Sequence, residues 1–136
     1  MRPERGAILI MVALALLGLT LFSAFVVDQG IFYASRRQAQ NAADAGALAA
    51  MESTLIDPSD QTAARQAAVA FVARNPVWGQ ATQPADMTVT LPITCPPGTG
   101  GGLSCVKVDV FRGTTGHTNT LPVVFASLAG ITSQAI

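Results

Sequence analysis

The sequence predicts an α+β protein: a long N-terminal transmembrane and stalk helix, then a small domain of a second helix, a disulfide-closed β-hairpin and a short C-terminal helix. Three observations indicate this fold. Residues 7–27 contain no charged residue, and helix-favouring residues then continue without a proline as far as Pro58. Two segments of alternating apolar and polar residues are joined by a Gly-rich loop between Cys95 and Cys105, which predicts the hairpin.

The apolar stretch at residues 7–27 is long enough to cross a membrane, because a helix needs about 20 apolar residues to span the hydrocarbon core. It is longer than the apolar region of a cleaved signal peptide, about 7–15 residues, and no A-x-A-like cleavage site ends it. We therefore expect a retained anchor, and a cleaved signal peptide is the alternative.

The charges around the apolar stretch predict its orientation. Arg2 and Arg5 directly precede it, and the first charge after it is Asp28, so the positive-inside rule places the N-terminus in the cytoplasm. Asp28 is either an interfacial charge that stops the helix from sinking deeper or a contact to a partner at the membrane boundary. The predicted organisation is a cytoplasmic start at residues 1–6, a transmembrane helix at 7–27, an extracytoplasmic stalk helix at 28–54 and a small extracytoplasmic domain at 55–136.

Cys95 and Cys105 are the only cysteines of the chain. A pair that closes a short Gly-rich loop favours a disulfide formed in an oxidising compartment. Two free thiols in a cytosolic loop are the alternative. A zinc site needs four ligands and only His117 could join the two thiolates, so we expect no metal.

The stalk carries a row of mostly small residues at heptad spacing. Such spacing keeps the residues on one helix face, and small side chains let a second helix approach closely. This helix-packing seam either packs on the chain's own second helix or sheet, or contacts another chain. The seam consists of Phe32, Ser35, Ala39, Ala42, Gly46 and Ala49.

After the stalk, the sequence first shows residues typical of turns. The spacing of its apolar residues then changes from helical to the alternation of a strand. Ser59 or Asp60 can cap a second helix, and Asn75-Pro76 stops it. Strict alternation of apolar and polar residues predicts strands, and Thr120 can cap a short helix near the C-terminus. The predicted elements are a helix at 59–74, strands at 87–91 and 105–112, a short helix at 120–130 and the start of a strand at 131–136.

Composition argues against two classes of function. The formal net charge is zero and no basic tract occurs, so we expect no nucleic-acid partner. His117 is the only histidine and the carboxylates lack metal-ligand spacing, which leaves no catalytic triad and no calcium loop. We expect a protein that is not an enzyme and carries no cofactor. An exported enzyme or ligand-binding domain on a tether is the alternative, and only the disulfide hairpin supports it.

The first helix also carries clustered motifs, Val-Asp-x-Gly at its membrane end and Gln-Asn-Ala-Ala-Asp-Ala further along. Over residues 5–51 these motifs resemble the N-terminal domain of TadG-like proteins of the Tad (Flp) pilus system. Residues 121–130 are similar to a short helix found in such proteins. The motif residues at and beyond the membrane boundary are Asp28, Gly30, Arg36, Arg37, Asn41 and Asp44.

The resemblance implies a single-pass protein of the bacterial inner membrane that serves pilus assembly or secretion through helix–helix and domain docking. Its partners would be membrane lipid and other pilus-assembly or pilin proteins, and a homo-oligomer is an open alternative. The second hypothesis is a pilin-like filament subunit cleaved after Gly6, since an apolar helix followed by a small αβ head is the general pilin plan. Against it, the fifth residue after that cut is Met11, where pilins usually carry glutamate.

Overall fold

In the described residues the fold consists of two α-helices, a short 3-10 helix and two small antiparallel sheets. The computed structural model describes residues 4–97, 104–112, 121–126, 130 and 133–134. The predicted α+β class is confirmed, with a long first helix, a second helix and a disulfide-closed hairpin. The elements in chain order are α1 (Glu4–Ile56), α2 (Gln61–Arg74), a short 3-10 helix (Pro84–Asp86), β1 (Met87–Thr94), β2 (Ser104–Val110), β3 (Leu121–Pro122) and β4 (Ser133–Gln134).

Helix α1 joins the predicted anchor and stalk without a break. Its 53 residues extend for about 80 Å at 1.5 Å per residue. Two hydroxyls inside the apolar stretch stay paired, because Thr20 and Ser23 donate to carbonyl oxygens one turn earlier at 2.8 and 2.9 Å. The apolar part has a mean hydropathy of 2.6 and is long enough to cross a membrane. Within residues 7–27 only Ala24 is buried.

Helix α2 begins at a capped turn. The side chain of Asp60 accepts a hydrogen bond from the backbone N–H of Ala63 at 2.8 Å, so Asp60 rather than Ser59 is the N-cap. The hydroxyl and the backbone N–H of Ser59 donate instead to Asp57, and these bonds hold the pKa of the Asp57 carboxyl below its ordinary value. The turn is short, so α2 folds back along α1.

The core lies between the two helices and one face of the hairpin. Both helices contribute alanines, which allow close approach, and the hairpin covers them with valines at alternate positions. Burying these side chains is the main favourable term that holds the domain on the stalk. The fully or nearly buried members are Ala42 and Ala50 of α1, Ala64, Ala68 and Val72 of α2, and Met87 and Leu91 of β1.

Strands β1 and β2 form a hairpin whose faces follow the predicted alternation. Val89 lies opposite Val108 on the core side, whereas Thr90 lies opposite Lys107 on the outer side. The outer edge of β1 is covered, because the guanidinium of Arg65 on α2 donates to two carbonyl oxygens of β1. The Cys95–Cys105 disulfide closes the hairpin with a Cα–Cα distance of 5.1 Å, and the predicted pairing is confirmed.

The C-terminal segment differs from the sequence prediction. Residues 120–130 were expected to form a helix, but Leu121–Pro122 form β3 and pair with Ser133–Gln134 of β4. The ring of Pro122 disfavours the helical region for Leu121, which makes an extended backbone the better conformation there. The predicted cap Thr120, residues 127–129, the loop tip at 98–103 and His117 lie outside the described residues.

Candidate functional site

The predicted seam on α1 faces the chain's own domain. Phe32 at the membrane end is half-buried. Ala42 packs in one cluster with Val72 and Met87, which belong to α2 and β1. Of the two arrangements considered for the seam, the structure therefore shows the intramolecular one. The seam residues that are buried are Ser35, Ala39, Ala42, Gly46 and Ala49.

Gly46 lies at a close contact between α1 and α2. A Cβ atom at this position would lie 2.5 Å from Cγ2 of Val72 and 3.2 Å from the backbone oxygen of Ala68. Gly30, on the same helix but near the membrane end, has no atom within 4 Å of the corresponding point. The seam glycine is therefore required by helix packing, whereas the motif glycine faces open space.

The opposite face of α1 carries most of the family motif and is exposed. Tyr33 and Leu48, two large side chains on this face, expose 64% and 73% of their surface. Charged residues lie between them on this face. We call this surface the outward face, and its motif residues are Gly30, Arg36, Arg37, Asn41 and Asp44.

A cleft of about 330 Å³ separates the outward face from the hairpin. Its apolar floor comes from the membrane end of the stalk, and Asp109 closes it on the strand side, where its carboxylate is paired with Lys107 at 2.7 Å. The cleft combines apolar surface with the charges of Arg36 and Asp109 beside the outward face. It is lined by Phe32, Arg36, Ala39, Gln40, Asp109 and Val110.

Asp28 contacts a segment that lies 96–98 positions later in the sequence. Its carboxylate accepts hydrogen bonds from the backbone N–H groups of Val124, Phe125 and Ala126, with nearest distances of 3.0, 3.1 and 2.7 Å. The sequence suggested an interfacial charge or a contact to another chain. The structure places the C-terminal segment of the same chain on this carboxylate, which is half-buried at the end of the apolar stretch, and both predicted roles stay predictions.

A buried polar cluster lies under the loop that joins α2 to β1. Arg112 is 2% exposed and donates from Nη2 to the backbone oxygen of Gln80 at 2.7 Å. Burial lowers the pKa of Arg112, and the charge of nearby Asp86 opposes that shift. Thr82 and Asp86 are buried with it. This cluster ties the loop to the end of the hairpin, and no motif or periodicity in the sequence marks it.

A comparison with known protein families gives a match that includes the long helix and its motif residues. Residues 6–74, just over half of the 136 residues, match the Tad family of Flp pilus-assembly TadE/G-like proteins. The chain belongs to this family. Neither a curated protein nor a solved structure matches the chain.

The family match ends where a secondary-structure element of this Tad-family protein ends. The sequence resemblance was seen over residues 5–51, whereas the match continues to residue 74, which is the last residue of α2. It therefore covers both helices and ends before the hairpin. Within the described part of the chain, no group of three His, Cys, Asp or Glu side chains could hold a metal ion.

Proposed function

We propose that this protein is a permanently anchored structural component of Flp pilus assembly that docks other pilus-assembly or pilin proteins through the outward face of α1. The single observation that carries the proposal is that one face of α1 is covered and another is exposed. The seam is covered by the chain's own domain, whereas the motif residues Arg37 and Asp44 remain exposed beside Leu48. Docking requires an accessible surface, so we assign it to the outward face rather than to the seam.

The membrane arrangement in this proposal is a single span at residues 7–27, in the bacterial inner membrane. The N-terminus lies in the cytoplasm, because Arg2 and Arg5 precede the span. The folded domain lies outside the cytoplasm, where the oxidising environment preserves the Cys95–Cys105 disulfide. We propose that the protein acts without catalytic chemistry, as a scaffold that positions its partners.

The first test compares two exposed positions in the native host. Leu48→Glu introduces a charge at the end of the outward face that is farther from the membrane, and Thr90→Glu does the same on the outer face of β1, opposite Lys107. We expect Leu48→Glu to weaken partner capture about tenfold, as loss of an interface anchor of about 1.4 kcal/mol does, and to reduce pilus assembly. Thr90→Glu should leave both unchanged. Both variants should fold, because exposed positions away from the core tolerate such changes.

The readout is site-specific photo-crosslinking at the two positions together with a count of surface pili. Crosslinks to a pilus-assembly or pilin protein from position 48 but not from position 90 would support docking on the outward face. Normal piliation of the Leu48→Glu strain, with unchanged crosslinks from a neighbouring position such as Asp44, would overturn it.

A second measurement separates the permanent anchor from the processed filament subunit. We expect the intact mass of the membrane-extracted protein to include residues 1–6 and to be lower by two hydrogens than that of the reduced chain. The reason is that a permanent anchor keeps its cytoplasmic start, and the disulfide removes one hydrogen from each thiol. A mass that begins at Ala7 would instead favour the filament subunit cleaved after Gly6.

A further inference from the structure

The C-terminal turn at residues 124–126 is fixed to α1 at one level of the helix. Both carboxylate oxygens of Asp28 take part: Oδ1 accepts from Val124 and Phe125, and Oδ2 accepts from Phe125 and Ala126. Three successive backbone N–H groups therefore converge on one carboxylate. Hydrogen bonds to a charged acceptor are about twice as strong as those between neutral groups, so this contact sets the position of the turn.

The level at which the turn is fixed is the end of the apolar stretch. Asp28 directly follows Val27, the last apolar residue. Ala24 lies one turn earlier on the same side of α1, and it is buried although every other residue of 7–27 is exposed. The chain therefore folds back to the level of Asp28, at the end of the apolar stretch.

The turn presents apolar side chains at this level. Val124 is 52% exposed and Phe125 is 38% exposed. These side chains lie next to the end of the apolar stretch, because the backbone of the turn is bonded to Asp28, which directly follows that stretch. Aromatic and aliphatic side chains at the end of a membrane span gain free energy when they enter the boundary between lipid headgroups and acyl chains.

The same contact removes the main obstacle to lipid burial of this turn. A backbone N–H group that leaves water without a partner costs free energy, and non-helical segments therefore avoid the bilayer. Here Asp28 accepts hydrogen bonds from the three N–H groups of residues 124–126. The turn can thus approach the lipid with these donors already satisfied.

We propose that the turn at residues 124–126 is a lipid contact, held by Asp28, in which Val124 and Phe125 enter the headgroup boundary beside the end of α1. The contact fixes the height and tilt of the folded domain on the bilayer surface. It rests on the proposed function in one respect, namely that residues 7–27 span the membrane. The occupant is the lipid surface, because the exposed side chains adjoin the span itself.

The experiment uses the full chain in phosphatidylcholine vesicles and measures quenching of tryptophan fluorescence by lipids brominated near the headgroup end of their acyl chains. The reporter is Phe125→Trp in a Trp78→Phe background, since Trp78 is the only native tryptophan. The unchanged chain provides a matched control: Trp78 is 41% exposed, close to the 38% of Phe125. The backbone N–H of Trp78 donates to Gln38, ten residues or about 15 Å along α1 from Asp28.

We expect the Phe125→Trp reporter to be quenched several-fold more strongly than native Trp78, because only position 125 lies at the bilayer boundary. Adding Asp28→Ala should lower the ratio of docked to free turn by about tenfold, since it removes every hydrogen bond to the carboxylate. Asp28→Asn keeps one acceptor oxygen and the polarity of the site, so its quenching should lie between the two.

A third reporter, Leu17→Trp in the same background, tests the span by itself, because Leu17 is exposed near the middle of the apolar stretch. Strong quenching from position 17 by lipids brominated deep in the bilayer, combined with quenching at position 125 no greater than at Trp78, would overturn the lipid contact and leave the anchor intact. No quenching from position 17 would overturn the span, and the lipid contact with it. Quenching at position 125 that survives Asp28→Ala would overturn the role of Asp28.

Discussion

Replacing Gly46 with valine is expected to destabilise the folded domain by about 2 kcal/mol, because overpacking a tight contact costs about 1–3 kcal/mol. The first added atom would already lie 2.5 Å from Cγ2 of Val72 and 3.2 Å from the backbone oxygen of Ala68. The second contact is the more serious one, since a backbone oxygen moves only if α2 moves. Relief therefore requires the two helices to separate, which also loosens the alanine contacts around them.

The measurement is thermal unfolding of the full chain in lipid nanodiscs, followed by the fluorescence of Trp78. That residue reports on the domain, because its backbone N–H donates to Gln38 of α1 at 2.7 Å. A loss of about 2 kcal/mol lowers the Tm of a domain of this size by about 10 °C. The apolar part of α1 stays in the lipid during this transition and does not contribute to the signal.

Gly30→Val is the matched control, because it makes the same change in the same helix where nothing lies within 4 Å of the new Cβ. We expect its stability to stay within about 0.5 kcal/mol of the parent chain. Adding Val72→Ala to Gly46→Val should restore part of the loss by removing the nearest methyl group. If Gly46→Val melted at the same temperature as Gly30→Val, the close helix contact at residue 46 would be wrong.

The seam shows what sequence periodicity can predict and what it cannot. Heptad spacing of small residues on α1 correctly indicates a face that another element approaches closely, as the contacts at Gly46 show. The spacing does not identify the second element, because any helix with small residues satisfies it. That choice follows from the capped turn before α2, which brings Ala64 and Ala68 back against α1 within the same chain.

Asp28 makes a long-range contact that a local sequence pattern cannot predict. The residue was noticed as a charge at the end of the apolar stretch, but its partners lie 96–98 positions later in the chain. They are backbone N–H groups, which nearly every residue has, so no side-chain motif marks them. The wrong helix prediction around Leu121 has a related cause. Capping and glycine signals near residues 120 and 130 outweighed the extended conformation that Pro122 favours for the residue before it.

Removing the Cys95–Cys105 disulfide is expected to lower the free energy of unfolding by about 3 kcal/mol. The bond joins residues ten positions apart, and closing a loop of that length removes about this much conformational entropy from the unfolded chain. The folded hairpin keeps its other support, since valines of β2 pack on the helices and Arg65 covers the edge of β1. The effect should therefore appear as reduced stability of a chain that still folds.

The measurement compares urea unfolding of the full chain with that of a Cys95→Ser/Cys105→Ser variant, both in nanodiscs and both with and without reductant. We expect reductant to shift the midpoint of the parent chain to that of the variant and to leave the variant unchanged, because only the parent has a bond to break. The slope of the transition should rise in the reduced parent, since an uncrosslinked unfolded chain exposes more surface. Equal midpoints for the oxidised parent and the variant would mean that the short loop is already ordered in the unfolded chain, and the entropic account of this disulfide would fail.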